Sequence, residues 1–446
     1  MKRRINRFIL VFVIVFLLAF FLRCILINWT LQYGNNVDFV SYEDWARIAH
    51  VHNFVATYTT PTRHSENFTI PANNQPPGSL YVLSGAYELW ITAGKLISRF
   101  THTSVGSIGF VNTYLQHIFM KIPSLLTDLG MGLFAYLLVT KEAGRKRGLF
   151  VAMLILFNPI IFYNSAIWGQ MDSINNFLFI LSLFFAFRKR IIPSIFAFVA
   201  SIFVKLSLLP LLPFYLIFLF FLSNKNIKKI SLGIALSAIA IFFAVLPISS
   251  NFTVWFLTIM PAITRGVFQN ITAAAFNFWW MILCYPSIGH KNIPGLDQIF
   301  LITNFRTWAY GIFGILSLPF LYFQIKKHRE IISKNLIFLI LSVIALLIFL
   351  FLPGMHDRYM YPVFPLLAIA IGLSRQYKPY LIIFCFLSLF NLTNIVYSWY
   401  PIVLDSTSTF YHIFYGDYFG WIISVLTMPV AGWFYWKSLL ELKRAK

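Results

Sequence analysis

Three carboxylates, Asp38, Glu43 and Asp44, lie within the stretch NNVDFVSYEDWARIAHV, residues 35–51, of a chain with only 14 Asp and Glu among 446 residues. A carboxylate can act as a general base that accepts the proton of an attacking hydroxyl group. It can also stabilise a helix N-terminus or lie on a solvated helix face. In a helix, Glu43 and Asp44 would point away from Asp38. The three carboxylates therefore need not share one role.

The motif GMHDRYMYP, residues 354–362, follows an apolar segment and contains His356, Asp357 and Arg358. An arginine at this position can contact a phosphate group through two parallel hydrogen bonds. The alternative is that Arg358 extends towards lipid headgroups beside a belt of tyrosines. Asp357 could form an ion pair with Arg265 or Arg358, or it could assist a divalent metal ion.

The motif WGQMDS, residues 168–173, lies between two apolar segments and contains Gln170 and Asp172. The amide and the carboxylate could orient a phosphate or a sugar. Asp172 could equally cap the helix that follows, since an acidic residue in the first turn interacts favourably with the helix dipole. Both interpretations are open from the sequence.

Three charged residues, Lys121, Asp128 and Lys205, lie inside or at the end of apolar segments. A charge in contact with lipid at the centre of a span costs about 2.5–3.5 kcal/mol, so these side chains are expected to face protein or a wet cavity. Lys121 and Asp128 are seven residues apart and share one helix face. Lys121 lies near the outer end of its segment and could reach a phosphate, whereas Asp128 lies deeper and is expected to be structural.

The composition places these residues in a membrane. Hydrophobic residues make up 59% of the chain and aromatic residues 19%, and the mean hydropathy of +0.75 is too high for a water-soluble domain. The net charge of +21 is spread over short runs rather than one basic patch, which argues against a nucleic-acid partner. The three cysteines show no paired spacing, and the chain has no Gly-rich phosphate loop, so a disulfide framework, a thiolate metal site and a nucleotide-driven reaction are not expected.

Apolar runs of about 17 to 25 residues predict about twelve transmembrane helices, within a range of 10 to 13. The basic runs between them, such as KEAGRKR at 141–147, all fall on one side, which the positive-inside rule assigns to the cytoplasm. Both termini are then cytoplasmic, and ten of the fourteen acids lie on the outer side. The predicted spans are 8–28, 115–139, 147–164, 173–187, 192–206, 207–223, 230–249, 301–324, 335–352, 360–374, 379–397 and 417–437.

The chain is thus predicted to be a single polytopic membrane domain over residues 1–446, with its polar chemistry outside. The first external segment, residues 29–114, is predicted to carry two amphipathic helices that lie in the membrane interface, the first with Trp45 at the level of the headgroups and the second over residues 79–99. A second external loop covers residues 250–300.

Five motifs in this order resemble those of the GT-C glycosyltransferases. They are an aspartate ahead of YEDWA, the turn QPPG, WGQMDS, AAAFNFWW at 273–280 and HDRYMYPVFPLL at 356–367. Within this superfamily the sequence resembles the mannosyltransferases of the type that adds the second mannose of glycosylphosphatidylinositol anchors, and their bacterial homologues. It departs from their pattern at NQPPG, where an aromatic residue often precedes the prolines, and at HDRY, where HERY is common.

The resemblance implies a GT-C-like fold and an inverting transfer of a hexose, with mannose favoured, from a polyprenyl-phosphate donor to an acceptor hydroxyl on the extracytoplasmic face. The catalytic base would lie in the first external loop, where Asp38 is the acid nearest the first span. The donor would be bound by Lys121, Gln170, Asp172, His356 and Arg358, and an acceptor pocket would be lined by Gln75, Asn277, Trp279 and Tyr359.

The partners implied are the lipid bilayer, the lipid-linked donor and an acceptor that is a glycan, a lipid or a protein. The polyprenyl-phosphate-linked sugar is the donor substrate, no cofactor is assigned, and a divalent metal at Asp357 is left open. The short spans and the basic bias fit a bacterial plasma membrane.

Two other classes share parts of this pattern. A secondary transporter, or a flippase for lipids or glycans, also has about twelve spans with intramembrane charges, but it predicts inverted repeats and polar groups at mid-membrane. The two halves of this chain show no such similarity. A polysaccharide polymerase or ligase predicts a large late external loop, whereas the largest external segment here is the first.

Overall fold

The computed structural model describes residues 2–30, 37–59, 62–65, 68–70, 72–101, 109–249, 251–260, 269–283, 293–334, 336–398 and 417–445. Within these residues the chain is all-α, with short strand pairs and no closed sheet. The predicted all-α class is confirmed. Arg265, and parts of the predicted loops 29–114 and 250–300, lie outside the described residues.

Helices in the first part of the chain follow the apolar runs, and polar residues mark several of their ends. The side chain of Asn158 accepts a hydrogen bond from the Ile160 N–H and begins α7, as asparagine commonly does at a helix N-terminus. The helices are α1 (Lys2–Thr30), α2 (Val37–Val51), α3 (Phe54–Thr59), α4 (Pro77–Thr101), α5 (Gly109–Ala143), α6 (Arg145–Leu156), α7 (Pro159–Phe162) continued by a π-helical turn (Tyr163–Trp168), α8 (Asp172–Phe187), α9 (Ile191–Val204), a 3₁₀ helix (Leu206–Leu211) leading into α10 (Leu212–Leu222), α11 (Ile227–Val245), and α12 (Phe252–Val254) continued by a π-helical turn (Trp255–Ile259).

The later helices include the most apolar segments of the chain. Asn304 caps the first long one by accepting from the Thr307 N–H. These helices are α13 (Phe278–Leu283), α14 (Phe305–Lys326), α15 (His328–Lys334), α16 (Ile337–Phe351), a 3₁₀ turn (Asp357–Met360), α17 (Val363–Leu373), α18 (Tyr377–Ser398) and α19 (Asp417–Arg444).

In the described part of the chain, three pairs of short strands join loop segments to each other. Two are antiparallel, namely β1 (Thr62–Ser65) with β2 (Phe68–Ile70) and β4 (Ile299–Phe300) with β5 (Thr303–Asn304). The third is parallel and joins β3 (Thr272–Ala273) to β6 (Met355–His356). This last pair holds the HDRY motif beside a segment more than 80 residues earlier in the chain.

The centre of the molecule is formed by α16 and α17, which pack against each other. Every residue of α16 is buried, and so is α17 from Val363 to Gly372. A helix that is apolar on all sides is stable only where other helices or lipid shield it from water. Here α5, α6, α14 and α18 supply that cover.

Other helices expose their apolar side chains. Large apolar residues lie at the surface along α1, α11 and α14, including Leu18, Ile25, Leu232, Phe243, Ile315 and Leu318. A surface of this kind is favourable against lipid and unfavourable against water. The chain is a multi-pass membrane protein.

Among the described residues, six helical stretches are long and apolar enough to cross a membrane, and a bent pair, 145–156 with 159–168, makes a seventh if it counts as one span. All twelve predicted segments are largely helical. However, α8, α9 and α16 have 16, 14 and 15 residues, fewer than the roughly 20 that a perpendicular span needs. The number twelve is therefore not confirmed.

The two helices predicted in the first external segment are present as α2 and α4. They pack against each other through Phe39, Tyr42, Leu80 and Leu83. Trp45 lies in the same cluster and is only 3% exposed. Its predicted position among the lipid headgroups is wrong, because α4 and α5 offer it an apolar contact inside the protein.

Candidate active site

One arginine lies within 4 Å of three aspartates, two of which come from distant parts of the chain. Arg358 lies in the 3₁₀ turn that follows α16. Its Nη2 is 3.5 Å from Asp38 Oδ2, its Nη1 is 3.6 Å from Asp357 Oδ1, and its Nε is 3.9 Å from Asp172 Oδ2. Together with Lys205, which contacts Asp172, these residues form what we call the Arg358 cluster. The structure thus brings together Asp38, Asp172 and Arg358, three of the residues singled out by the sequence.

Asp38 is held from one side and open on the other. The Gln170 amide nitrogen donates to Asp38 Oδ2 at 2.6 Å, and the Tyr42 hydroxyl donates to the Gln170 amide oxygen at 2.8 Å. Burial, followed by the charge of Asp38, raises the pKa of the Tyr42 hydroxyl well above its ordinary value, so this group stays protonated and continues to donate. The Asp38 side chain is nevertheless 38% exposed. Asp38 is therefore oriented and still accessible.

Asp172 is buried at the first turn of α8 and carries the second cation of the cluster. Its Oδ1 lies 2.7 Å from Lys205 Nζ, and its Oδ2 accepts from the Asn164 amide at 3.3 Å. The π-helical turn 163–168 ends at Gly169, whose φ of 83° lies in the left-handed region. That region favours glycine, and the resulting change of direction lets Gln170 and Asp172 face the cluster.

The guanidinium of Arg358 lies between aromatic rings. Its carbon is 5.0 Å from the centre of the Trp168 ring and 5.7 Å from that of Tyr359, distances at which a cation is attracted by the ring face. Burial acts to lower the pKa of Arg358, but the nearby carboxylates of Asp38 and Asp357 raise it above its ordinary value. The group therefore remains a cation despite its low exposure.

The two residues before Arg358 have pKa values that differ from their ordinary ones. Burial, together with the positive charge of Arg358, lowers the pKa of His356 well below its ordinary value, so its imidazole is neutral at pH 7. Burial raises the pKa of Asp357 to about 6, although Arg358 opposes this shift. The His356 ring contacts the Tyr359 ring at 5.2 Å. His356 is thus a neutral hydrogen-bonding group rather than a further cation.

Asn277 and Trp279 do not line an open pocket, which corrects the prediction made for them. Both are fully buried. The Asn277 amide donates to the Phe349 carbonyl at 3.1 Å, and the Trp279 ring N–H donates to the Phe351 carbonyl at 2.8 Å. The last carbonyls of a helix have no partner within the helix, and these two side chains supply it at the end of α16. They position the turn that carries Arg358.

Lys121 also differs from its prediction as a ligand of the donor phosphate. Its Nζ donates to Thr30 Oγ1 and to the carbonyls of Ala166 and Ile167, each at 3.1 Å. An ammonium group has three N–H donors, so these contacts use all of them. Lys121 therefore stabilises the end of the π-helical turn next to Gln170.

Lys205, and not Lys121, provides the second cation of the Arg358 cluster. The sequence marks Lys205 as a charge in an apolar segment but does not assign it to the site. The signal in the sequence was the need of a buried lysine for a counter-ion. The interaction with Asp172 across 33 positions could be seen only in the fold.

Gln75 lies in the turn before α4, and the hydrogen bonds that the structure describes for it involve residues outside the Arg358 cluster. Its side chain donates to Asn74, and its carbonyl accepts from the Tyr58 hydroxyl. The following Gly78 lies against the backbone of Phe203, where a Cβ atom would clash. The QPPG turn therefore packs on the end of α9, directly before Lys205.

Asp128 lies beneath the cluster in a separate network. It forms a fully buried ion pair with Arg23 at 2.8 Å and accepts hydrogen bonds from Ser165, Ser173 and Tyr361. Its predicted structural role agrees with these contacts. Ser173 belongs to α8 and Tyr361 follows the HDRY motif, so the network ties together two elements that carry the site.

The described residues contain no group of three or more His, Cys, Asp and Glu side chains arranged to hold a metal ion. What the cluster offers is a partly exposed carboxylate beside two buried cations. Comparison of the chain with models of protein families, with curated proteins and with solved structures gives no match.

Proposed function

We propose that this chain is an integral-membrane glycosyltransferase that moves a hexose from a polyprenyl-phosphate donor to an acceptor hydroxyl on the extracytoplasmic face. The resemblance in the sequence favours mannose as the hexose and a bacterial plasma membrane as the location. The observation that carries the proposal is the position of the partly exposed Asp38 beside Arg358, at 3.5 Å. A base and a cation side by side are what this transfer requires.

Asp38 is the proposed base. The acceptor oxygen attacks the anomeric carbon while the bond from that carbon to the phosphate oxygen breaks. The proton of the acceptor hydroxyl passes to the Asp38 carboxylate, and polyprenyl phosphate leaves with the bonding electrons. Attack opposite the leaving group inverts the anomeric centre. Exposure of Asp38 allows the acceptor to approach, and the hydrogen bond from Gln170 fixes the carboxylate in one orientation.

Arg358 is proposed to bind the phosphate that leaves. Its three ion-pair distances exceed the 2.7–2.9 Å or so of strong charge-assisted hydrogen bonds, and within the described part of the chain its buried Nε has no hydrogen-bond acceptor. A phosphate can accept from the free donors of the guanidinium. Lys205, which lies 2.7 Å from Asp172, adds a second positive charge nearby. Preorganised cations of this kind stabilise the charge that develops on a leaving group.

The test is transfer of labelled mannose from a synthetic polyprenyl-phosphate mannose by membranes of a strain that lacks the native chain. Asp38→Asn keeps the size of the side chain but cannot accept the proton, so transfer should fall by roughly a hundredfold or more. Asp44→Asn is the matched control, because Asp44 pairs with the exposed Arg47 on the same helix and its loss should leave transfer unchanged.

A different result would overturn the proposal. Equal transfer by wild type and Asp38→Asn would remove Asp38 as the base. Movement of labelled sugar across vesicles without a new glycosidic bond would identify a transporter instead.

A further inference from the structure

A cavity of about 500 Å³ lies at the end of the helix bundle opposite to the Arg358 cluster. Helix ends form its wall, with Ala143 of α5, Leu336 before α16, Leu373 of α17 and Tyr380 of α18 among the lining residues. The 15 residues of α16 separate it from the cluster, a distance of about 22 Å along the helix. This is the side that the basic runs predict to be cytoplasmic.

Three cations line the cavity, namely Arg375, Lys437 and Arg444. Within the part of the chain that the structure describes, none of the three forms an ion pair with a carboxylate. Of the two acids in the wall, Glu441 is engaged, since it accepts from the Tyr380 hydroxyl at 2.6 Å. The three cations outnumber the two acids, Glu142 and Glu441, so the described wall of the cavity carries one net positive charge.

Part of the remaining wall is apolar. Leu336, Leu339 and Leu440 line the cavity together with the cations. A smaller cleft of about 20 Å³ shares Glu142 and Leu373 with the cavity, and it is lined by Lys141 and Arg188 as well as by leucine and phenylalanine side chains. Cationic and apolar side chains thus lie in the wall of one recess.

The walls of the recess are fixed by hydrogen bonds. Arg147 donates to the carbonyls of Gly372 and Ser374 at the end of α17. Lys327 donates to the carbonyls of Lys443 and Ala445 at the end of α19, at 2.7 and 2.8 Å. A cavity that is already formed binds a ligand without paying the ordering entropy of its walls.

We propose that this cavity binds the phosphate-bearing headgroup of an anionic membrane lipid, with the first part of an acyl chain against Leu336, Leu339 and Leu440. Basic pockets between transmembrane helices on the cytoplasmic side are suited to such headgroups. A soluble anion would use the three cations but not the leucine side chains of the wall. The site is separate from the Arg358 cluster and does not depend on the reaction proposed there.

The experiment is native mass spectrometry of the full-length protein in detergent, titrated with phosphatidylglycerol, with phosphatidylcholine and with glycerol 3-phosphate. Phosphatidylglycerol should bind most tightly. Lys437→Gln combined with Arg444→Gln should weaken its binding by roughly 25-fold, at about fivefold for each charge. Lys146→Gln combined with Lys228→Gln removes two basic residues that lie outside the cavity and should leave binding unchanged.

A substitution in the opposite direction guards against misfolding of the double variant. Glu142→Gln removes an exposed acid from the wall and should strengthen phosphatidylglycerol binding by about fivefold. Equal binding of phosphatidylglycerol and phosphatidylcholine by the wild type would overturn the proposal. So would tight binding of glycerol 3-phosphate, which would identify a soluble phosphate compound as the ligand.

Discussion

Two arginine–aspartate pairs lie in neighbouring parts of the molecule and differ in the surroundings of the carboxylate. In the pair of Arg23 with Asp128, both side chains are fully buried and 2.8 Å apart. In the pair of Arg358 with Asp38, the separation is 3.5 Å and Asp38 is 38% exposed. Within the described part of the chain each arginine has a buried nitrogen without an acceptor, Nη2 of Arg23 and Nε of Arg358. The two pairs therefore differ in whether a substrate can reach the carboxylate.

The comparison shows how the same two side chains serve structure in one place and chemistry in another. Asp128 accepts from Ser165, Ser173 and Tyr361 in addition to Arg23, so its oxygens have no room for a substrate. Asp38 accepts from Gln170 and keeps a surface that an acceptor can reach. A buried pair within a dense hydrogen-bond network fixes the fold, whereas a longer and partly exposed pair leaves capacity for a ligand.

The largest expected effect is on stability and comes from the buried pair. Asp128→Ala leaves the Arg23 cation unpaired in the interior, which should destabilise the protein by about 3–5 kcal/mol. Asp38→Ala removes a partly exposed group and should change the thermal midpoint little. Thermal unfolding of the two purified variants in detergent measures the difference. Similar losses for both would show that the two pairs are alike.

A smaller effect is expected on activity from Arg358→Lys. Lysine keeps the positive charge but loses the planar, two-pronged donor geometry, so transfer from a polyprenyl-phosphate hexose should fall by about a hundredfold while the protein remains folded. Arg47→Lys is the matched control, since Arg47 is exposed on α2. If Arg358→Lys transferred sugar as fast as the wild type, Arg358 would provide charge alone.

The smallest effect concerns pH. The pKa of Asp357 is raised from 3.8 to about 6, so its carboxylate is ionised at pH 8 and protonated at pH 5. Protonation removes an anion that competes for Arg358, and the donor should bind about threefold more tightly at pH 5 than at pH 8. Measurement of KM for the donor at both values checks this. Asp357→Asn should show a weaker dependence on pH.

The same shift affects stability with a defined sign. Because the folded protein holds the Asp357 proton more tightly than the unfolded chain does, the free energy of unfolding decreases as pH rises from 3.8 to about 6. The thermal midpoint of the wild type should therefore fall relative to that of Asp357→Asn over this interval. A parallel course of the two midpoints would contradict the raised pKa.

Much of the architecture was predictable from the sequence because membrane proteins have few alternatives. Long apolar runs become helices, since lipid offers no partners to an open backbone. The number of spans was harder to obtain, because α16 is apolar on all sides whether lipid or protein surrounds it. Composition alone does not distinguish a lipid-facing helix from one in the core.

The sequence indicates that four polar residues lie on the same face of the membrane, because each is at the outer end of an apolar segment. They are Asp38, Gln170, Asp172 and Arg358. The roles of Lys121, Asn277 and Trp279 could not be obtained in this way. Their side chains satisfy backbone carbonyls at helix ends, and such contacts depend on which helices pack together. Polar residues near a predicted site can serve the backbone as readily as a ligand.

The π-helical turn at Tyr163–Trp168 gives this part of the chain a tolerance to a change of its length. A π turn accommodates one more residue than an α turn. Removal of a single codon from this stretch would let it wind as a regular α-helix that covers the same full turn, so Gln170 and Asp172 should keep facing Arg358. The same deletion inside the regular helix α8 would rotate every later residue of that helix by about 100°.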